Sequence, residues 1–439
     1  MLPPTGAGVV VVGASVSGLH AAEALRDADY AGPVTVLDAD PGPPCDRPPL
    51  SKQLLSGAWT REQALLRDAD ALAGRGIEVR HGVRALGLDA ASSTLDTSAG
   101  TLPYDGLVVA TGAVARGLPG VGARPGLYTL RTPADCLALR ADLEDGAALV
   151  IIGAGFIGME VAATARGLGA AVTVVDPLAV PMQAVLGRDT GLALQRLHTN
   201  HGVAFRLGRS VQVVHGASRV EVVELDDGSA VRADAVLVGI GARPATDWLT
   251  GAGLDVSSGL QCDQYLAAGP RIAGAGDVVD WYNPRYEQRM RVEHWTNAAE
   301  QGAHAARNLL LAPGDRIPVD LVPYFWSDQY DVRIQFGGVV GDVVRVVPAG
   351  DVDRPERRVV LTGREGVLTS VLAVGADRPF VRARRMLRRA TPMDEAEKVI
   401  RALLSTDLVS TDPGRAGAAS CLPGNRLAVD AVVPPADSS

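Results

Sequence analysis

The chain has 439 residues, 47% of them hydrophobic, with 50 glycines and a formal net charge of −8 at pH 7. That length holds two or three domains, and the composition is typical of an α/β protein with buried strands and glycine turns. The acidic balance excludes a general nucleic-acid surface, and the lack of an apolar run of about 18 residues excludes a membrane-spanning helix. The opening MLPPTGAG lacks the features of a signal peptide, so we expect a cytoplasmic protein.

The first predicted element is a strand, a tight glycine turn and a helix within Val9–Leu25, VVVVGASVSGLHAAEAL. Such a helix N-terminus directs unpaired backbone N–H groups at an anion, which makes it a site for a pyrophosphate. Gly13 and Gly18 occupy the first and third glycine positions of a dinucleotide fingerprint, and Ser15 stands at the second. A tight turn without a ligand is the alternative for this stretch alone.

The next segment adds charged residues beside this turn. Asp38 or Asp40, after the second predicted strand, is placed to accept a hydrogen bond from a ribose hydroxyl. The loop that follows, PGPPCDRPPLSKQLLSG, is stiffened by prolines and carries Arg47 and Lys52, and Lys52 is one of two lysines in the chain. Solvated charges on a surface loop are the alternative for this stretch.

A second fingerprint follows in Leu149–Val175, where Gly153, Gly155 and Gly158 lie between an apolar strand and an alanine-rich helix. Two fingerprints in one chain imply two nucleotides, and the usual pair is a flavin and a nicotinamide. The two cations of the proline loop then suit the pyrophosphate and the ring of the flavin. Asp176 ends the next strand and no arginine follows it, so we expect NADH rather than NADPH, because a carboxylate repels a 2′-phosphate.

The two predicted nucleotide-binding domains end in similar sequence patterns. Tyr104–Gly112 and Ala233–Pro244 each predict a buried strand and a small-residue turn, so the middle domain repeats the first. Arg271–Val279 predicts a return to the first domain, with Asp277 placed for a ribityl hydroxyl. We predict domains at 1–117 and 247–320 for the flavin, 118–246 for the nicotinamide, 321–410 as an α+β unit and 411–439 as a disordered tail.

The cysteines show no redox or metal-binding spacing. Cys45, Cys136, Cys262 and Cys421 include no C-x-x-C pair. We therefore expect no dithiol relay and no metal site.

Over residues 8 to about 405 the sequence resembles the NADH-dependent, FAD-containing ferredoxin reductases, which include the reductase components of aromatic-ring dioxygenases. The matching motifs are VVGASVSGLHAAEAL, DRPPLSKQLLSG, VVATGA, VIIGAGFIGMEVAA, GIGARP, AGAGDV, RVEHWTNAAEQG and PYFWSDQY. The resemblance implies a glutathione-reductase-like α/β fold with two Rossmann-type dinucleotide-binding domains and a C-terminal α+β domain. It also implies an oxidoreductase that passes electrons from NADH through FAD to an acidic iron–sulfur ferredoxin, which supplies a haem-thiolate monooxygenase or a ring-hydroxylating dioxygenase.

The resemblance implies roles residue by residue. For FAD it implies Gly13, Ser15, Gly18, Asp38 or Asp40, Arg47, Lys52, Thr111, Gly112, Arg131, Gly276, Asp277, Trp295, Phe325 and Trp326. For NAD it implies Gly153, Gly155, Phe156, Ile157, Gly158, Glu160, Asp176 and Gly241. The sequence departs from the family at Cys45, where an aromatic residue is common, and at Ala245, where asparagine is common.

We expect the nicotinamide to stack on the flavin near Phe156 and Ile157. Glu160 would hold its carboxamide or pair with Lys52, whose ammonium would stabilise the negative charge that builds up on flavin reduction. Lys52 and Glu160 are therefore the candidate catalytic residues. A solvated helix glutamate is the alternative for Glu160.

A basic run near the C-terminus, RPFVRARRMLRR, could steer an acidic ferredoxin towards Trp326, although a solvated face is the alternative. The arginines of this run are Arg378, Arg382, Arg384, Arg385, Arg388 and Arg389. Other functions need the same nucleotide sites: a quinone or other small-acceptor reductase, an NADH oxidase that uses Cys45, or a non-catalytic protein similar to apoptosis-inducing factor.

Overall fold

The valines of the first predicted strand lie at the centre of a parallel sheet. The computed structural model describes residues 6–143, 146–348 and 357–409, with side chains to residue 405, so the predicted tail 411–439 lies outside it. Val9–Val12 pairs in parallel with a strand on each side and is buried throughout, which explains its continuously apolar sequence. The elements up to residue 115 are β1 (Val9–Val12), α1 (Val16–Asp27), β2 (Val34–Asp38), α2 (Gln53–Ser56), α3 (Ala69–Gly74), β3 (Ile77–His81), β4 (Ala85–Asp89), β5 (Thr94–Thr97), β6 (Gly100–Pro103), β7 (Gly106–Val109) and β8 (Ala113–Ala115).

A second parallel sheet follows, with strand order β12-β11-β10-β16-β9. Its elements and those beside it are β9 (Leu127–Tyr128), α4 (Pro133–Ala141), β10 (Ala148–Ile152), α5 (Phe156–Gly167), β11 (Ala171–Asp176), α6 (Gln183–Leu186), α7 (Arg188–Asn200), β12 (Ala204–Leu207), β13 (Val211–His215), β14 (Val222–Leu225), β15 (Ala230–Arg232), β16 (Ala235–Val238) and β17 (Ala242–Pro244). Antiparallel pairing of β17 with β8 joins the ends of the two halves.

The chain then returns to the first sheet, in the segment where the sequence predicts it. The elements are β18 (Leu260–Cys262), β19 (Ala267–Gly269), β20 (Ile272–Gly274), β21 (Val279–Asn283), β22 (Gln288–Met290) and α8 (Trp295–Leu310). Strand β20 lies parallel to β7, which gives the order β19-β20-β7-β1-β2-β3. Helix α8 packs against α1 so closely that a Cβ on Gly302 would overlap the carbonyl oxygen of Ser17.

The last part is an antiparallel sheet covered by two helices, with strand order β23-β24-β27-β26-β25. Its elements are β23 (Tyr324–Gln329), β24 (Val332–Gly338), β25 (Val343–Pro348), β26 (Arg358–Arg364), β27 (Val367–Val374), α9 (Asp377–Leu387) and α10 (Met393–Val409).

One cluster of buried apolar side chains draws on three distant stretches of the chain. It contains Leu50, Leu54 and Leu55 of the proline loop and α2, Leu149 and Ile151 of β10, and Val332, Ile334 and Phe336 of β24. Because this core is shared, the third sheet holds the loop after β2 against the second sheet. The candidate functional residues lie around that junction.

Candidate functional site

The first glycine turn has the geometry of a phosphate-binding turn. Gly13 has φ +110°, and a Cβ there would overlap the carbonyl oxygen of Ala110. A Cβ on Gly18 would in turn overlap the carbonyl oxygen of Gly13, so both positions require glycine. Ser15 is the N-cap residue of α1, and its side chain caps no backbone N–H within the described chain. The N–H groups at the start of α1 are therefore available to an anion.

The second glycine turn repeats this geometry. Gly153 has φ +108°, a Cβ there would overlap the carbonyl oxygen of Gly239, and a Cβ on Gly158 would overlap that of Gly153. Gly155, the counterpart of Ser15, is exposed and has open space around its Cβ position. The second position therefore accepts a small side chain, which explains how the first turn tolerates serine.

Asp176 closes the second turn. Its two carboxylate oxygens accept hydrogen bonds from the backbone N–H groups of Ala154, at 2.7 Å, and Leu178, at 2.8 Å. Each oxygen keeps a further lone pair. Gly241, at the end of the same sheet, is exposed with φ +93°. Asp176 is thus fixed at the carboxyl end of β11, where an adenosine ribose binds in this fold.

Two guanidinium groups meet at Gly112. A Cβ on Gly112 would lie 3.3 Å from Nη2 of Arg131 and 3.5 Å from Nη1 of Arg47. Burial, with the nearby charge of Arg131, lowers the pKa of Arg47 to about 10. Arg131 lies 3.2 Å from Asp277, but its buried Nε has no hydrogen-bond partner among the described residues. Two cations that share one carboxylate form a site for an anionic group, and a pyrophosphate fits it.

The acidic and hydroxyl residues near this anion site differ in their surroundings. Asp38 is half-buried at the end of β2, and burial raises the pKa of its carboxyl group. It accepts a hydrogen bond from the backbone N–H of Asp40, which is itself exposed. The hydroxyl of Thr111 donates to the carbonyl oxygen of Ala245 at 2.9 Å, so this side chain joins the two halves of the chain. Towards a ligand, the Thr111 hydroxyl can therefore only accept a hydrogen bond.

The N-terminus of α8 completes one side of the site. Trp295 donates from Nε1 to Oδ1 of Asp46 at 2.8 Å. His294 occupies the N-cap position of α8 without a capping hydrogen bond from its side chain to any described backbone N–H, and burial lowers the pKa of its imidazole to about 4. Its Nδ1 is buried without a hydrogen-bond partner in the described ranges, as expected if a ligand group meets it. Gly276, with φ +80°, donates its backbone N–H to Gln301 at 2.8 Å.

Strand β23 presents two different faces because its side chains alternate. On one face, the ring of Phe325 lies 4.7 Å from that of Phe156 and 4.9 Å from that of His294. On the other, the ring of Trp326 lies 6.4 Å from that of Trp295 and 6.0 Å from that of Tyr324. The strand therefore contributes both to the nucleotide side of the site and to an outward aromatic cluster.

Lys52 and Glu160 form a buried ion pair at the junction of the sheets. Lys52 Nζ lies 2.7 Å from Glu160 Oε2, and the two side chains are only 13% and 7% exposed. Ser51 also donates to Oε2, and Ser327 donates to Oε1 at 2.7 Å. Glu160 is therefore not a solvated glutamate, and Lys52 is not a free surface charge. Phe156 and the 49% exposed Ile157 lie one turn before Glu160 on α5.

The basic run does not form the single patch that its sequence suggests. Arg384 is half-buried, with its guanidinium 4.2 Å from the centre of the Tyr324 ring. Burial and the charge of Arg388 lower the pKa of Arg384. The arginines on the other side of α9 and just beyond it are exposed, namely Arg378, Arg382, Arg385 and Arg389. Helical spacing thus divides the run into a face beside Tyr324 and a solvent face.

The described cysteines are poor candidates for a reactive thiolate. Cys45, Cys136 and Cys262 are all free thiols. Burial raises the pKa of each one, to about 11 in Cys136, which favours the unreactive thiol. Cys421 lies outside the described residues. The geometry therefore argues against an oxidase that uses Cys45.

Sequence reasoning alone does not select several of the polar residues at this site. Ser51 lies beside Lys52, and strand alternation from Phe325 would have placed Ser327 and Gln329 on the same face. His294 immediately precedes Trp295 in a matched motif. His198 carries no sequence signal, since a single histidine in an amphipathic helix is usually an ordinary packed residue.

No helix in the described part of the chain is long and apolar enough to cross a membrane.

Comparison with known proteins agrees with this geometry. Residues 7–302 match the pyridine nucleotide-disulphide oxidoreductase family, and residues 324–401 match the reductase C-terminal family. The chain is 37% identical over 381 residues to the anthranilate 1,2-dioxygenase system ferredoxin–NAD(+) reductase component of Burkholderia cepacia, covering 86% of this chain and 93% of that one. It is 31% identical over 396 residues to putidaredoxin reductase of Pseudomonas putida, covering 88% and 93%.

A solved structure shows the same fold. The covalent putidaredoxin reductase–putidaredoxin complex matches with a TM-score of 0.83 and 30% identity, over 88% of this chain and 94% of that chain. The predicted α/β fold with a C-terminal α+β unit is thereby confirmed. From its matched length and its two glycine turns, the chain belongs to the pyridine nucleotide-disulphide oxidoreductase family and, within it, to the ferredoxin reductases.

Proposed function

We propose that this protein is an FAD-dependent ferredoxin reductase that passes electrons from NADH through FAD to an iron–sulfur ferredoxin. The observation that carries this function is the buried pair of Lys52 and Glu160 in a chain that also has two glycine turns of matching geometry. Bound FAD supplies the redox chemistry, since it accepts a hydride and gives up electrons singly. The protein binds, orients and electrostatically tunes the reactants.

For FAD, we assign the pyrophosphate to Arg47, Arg131 and the turn at Gly13. The support is the unpartnered Nε of Arg131 and the convergence of both guanidinium groups on Gly112. Beside this anion site, Asp277 would accept from the ribityl chain. Asp38, at the carboxyl end of β2, would accept from the adenosine ribose. Trp295, Phe325 and the backbone near Trp326 would border the ring.

For the nicotinamide, we assign the exposed surface of Phe156 and Ile157 above the Lys52–Glu160 pair. The ammonium of Lys52 stabilises negative charge that develops beside it, and Glu160 holds that ammonium in place. Asp176 would accept hydrogen bonds from the adenosine ribose and repel a 2′-phosphate, so NADH is the proposed donor.

For the electron acceptor, we propose an acidic iron–sulfur ferredoxin that docks at Tyr324, Trp326, Arg384 and Arg388. Trp326 lies next to Trp295, Tyr324 stacks on Trp326, and the guanidinium of Arg384 lies over the Tyr324 ring. Arg388 follows Arg384 by one helical turn. The relatives named above belong to a dioxygenase system or act on putidaredoxin. The reduced ferredoxin would in turn supply a haem-thiolate monooxygenase or a ring-hydroxylating dioxygenase.

We further propose that residues 1–117 and 247–320 form the FAD domain, 118–246 the NAD domain and 321–410 the C-terminal domain. The pairing of β20 with β7 supports a discontinuous FAD domain. The proposed location is the cytoplasm, where NADH and ferredoxins are available.

Stopped-flow absorption tests the function. The purified yellow protein is mixed with NADH or NADPH, and then with an oxidised ferredoxin, while the flavin and cluster bands are recorded. Fast bleaching by NADH, slow bleaching by NADPH and rapid reduction of the ferredoxin are expected. Bleaching that only oxygen, peroxide or a quinone reverses would instead assign the protein to the oxidases or the small-acceptor reductases.

A further inference from the structure

A chain of buried hydrogen bonds runs from Glu160 on α5 to His198 near the end of α7. Ser327 Oγ lies 2.7 Å from Glu160 Oε1, and Gln329 Nε2 lies 3.2 Å from Ser327 Oγ. Gln329 Oε1 lies 2.9 Å from Nε2 of His198, whose Nδ1 lies 3.3 Å from the hydroxyl of Tyr330. Ser327, Gln329 and His198 are completely inaccessible to solvent.

The chemistry of these groups gives the chain one direction. A carboxylate only accepts, so Ser327 donates to Glu160 and accepts from the amide nitrogen of Gln329. The amide oxygen of Gln329 must then accept from Nε2–H of His198. Burial lowers the pKa of His198 to about 4, so the ring is neutral at pH 7. Its Nδ1 is consequently an acceptor for Tyr330, and every donor points towards Glu160.

We propose that Ser327, Gln329 and His198 are positioning residues, which fix the carboxylate of Glu160 and through it the ammonium of Lys52. The part of this proposal that concerns catalysis rests on the proposed function, the reduction of FAD by NADH. Glu160 lies on α5, Ser327 and Gln329 on β23, and His198 on α7, so the chain connects two helices with the C-terminal sheet.

Charged groups near this chain lie at its two ends. Lys52 faces Glu160 from the proline loop. At the other end, His201 stacks on Tyr330 with ring centres 3.7 Å apart, and Arg166 donates to the carbonyl oxygen of His201. In the interior, the second amide hydrogen of Gln329 faces the sulfur of Met182 at 3.9 Å. The interior links are thus neutral groups whose order is set by donor and acceptor type.

The direction of the chain is tested without any measurement of activity. In full-length protein with ¹⁵N-labelled histidine, the His198 signals are assigned by their loss in a His198→Asn variant. A neutral ring with its proton on Nε2 at pH 7 is expected. A proton on Nδ1, or a charged ring at pH 7, would overturn the one-way chain.

The positioning role is tested by rapid reduction of the holoenzyme with NADH. Gln329→Leu removes both interior links and is expected to slow flavin bleaching about tenfold with an unchanged Kd for NADH. Gln335→Leu is the matched control, because Gln335 is a buried glutamine of the neighbouring strand that donates to Tyr324. Its bleaching rate should match that of the wild type.

Ser327→Ala provides a second variant in case Gln329→Leu does not fold, and the same slowing is expected. Bleaching at the wild-type rate in the folded variants would overturn the positioning role. If NADH does not bleach the wild-type flavin, the proposed function fails instead, and the histidine spectrum still decides whether the chain exists.

Discussion

The indole of Trp295 donates to the carboxylate of Asp46 across 249 positions of sequence, at 2.8 Å. This bond ties the start of α8 to the proline loop that carries Arg47 and Lys52. It therefore fixes two walls of the proposed flavin site relative to each other.

Loss of this bond should weaken flavin binding. Trp295→Phe keeps an aromatic ring at this position but removes the indole N–H that donates to Asp46. Burial already raises the pKa of the Asp46 carboxyl group. We expect the Kd for FAD to rise about tenfold, measured by flavin fluorescence on reconstituted apoprotein. Trp248→Phe is the control, because the buried indole nitrogen of Trp248 has no partner in the described structure. An equal effect of both changes would refute the specific role of Trp295.

Removal of the buried ammonium should slow flavin reduction. We expect Lys52→Met to lower the rate of bleaching by NADH about 100-fold, because the charge beside the flavin is lost and Glu160 remains buried without its cation. Lys398→Met changes the other lysine of the chain, which is exposed on α10, and should have no effect. Equal rates in both variants would remove Lys52 from the catalytic assignment.

Nucleotide preference should depend on the charge of Asp176. Asp176→Asn keeps the size of the side chain and removes its negative charge, at the cost of one of its two hydrogen bonds from backbone N–H groups. We expect kcat/KM for NADPH to rise about tenfold and that for NADH to fall, since the repulsion of the 2′-phosphate is relieved. Asp189→Asn, an exposed change at the start of α7, serves as the control. A wild type that uses NADPH as well as NADH would contradict the assignment.

The two sides of α9 should differ in their effect on ferredoxin reduction. Arg388→Glu reverses a charge one helical turn after Arg384, and we expect the second-order rate constant to fall about tenfold at low salt. The difference in rate constant between this variant and the wild type should become smaller as salt screens the charges. Arg382→Glu makes the same change in net charge on the solvent face and should have a smaller effect. Salt-insensitive transfer in the wild type would exclude electrostatic steering.

Buried His198 should make the protein less stable in mild acid. Its folded-state pKa of about 4 lies below the ordinary 6.5, so protons bind preferentially to the unfolded chain. Its contribution is complete above pH 6.5 and is lost as the pH falls towards 4, by about 2 kcal/mol at pH 5. We expect His198→Asn to narrow the difference in Tm between pH 7 and pH 5 by about 2 °C, measured by thermal unfolding. A difference in Tm equal to that of the wild type would refute this contribution of His198.

Much of this architecture follows from local sequence. The apolar strand, the required glycines and the helix after them are encoded within Val9–Leu25 and again within Leu149–Val175, because hydrophobic run and turn chemistry are local properties. The sequence identifies Arg47 and Arg131 as candidate ligands of the flavin, but it does not show that they meet at Gly112. Arg47 and Arg131 lie 84 positions apart, and their convergence depends on how the strands assemble.

Contacts between residues of different sheets are less predictable from the sequence. Pairing with Lys52 is one of the two roles predicted for Glu160, and the packing of the proline loop and α2 against α5 decides it. The arginine run was predicted as one patch, but the position of α9 over Tyr324 divides it. His198 could not be predicted, since its partners Gln329 and Tyr330 lie more than 130 positions away.

The shared core has a consequence for biosynthesis. Leu50 and Leu54 share this core with Ile334 and Phe336, which are synthesised much later. While the C-terminal sheet is still being synthesised, the apolar side chains of this junction therefore lack part of their packing. The C-terminal sheet must therefore be synthesised and folded before this junction, and the proposed flavin site around it, is complete.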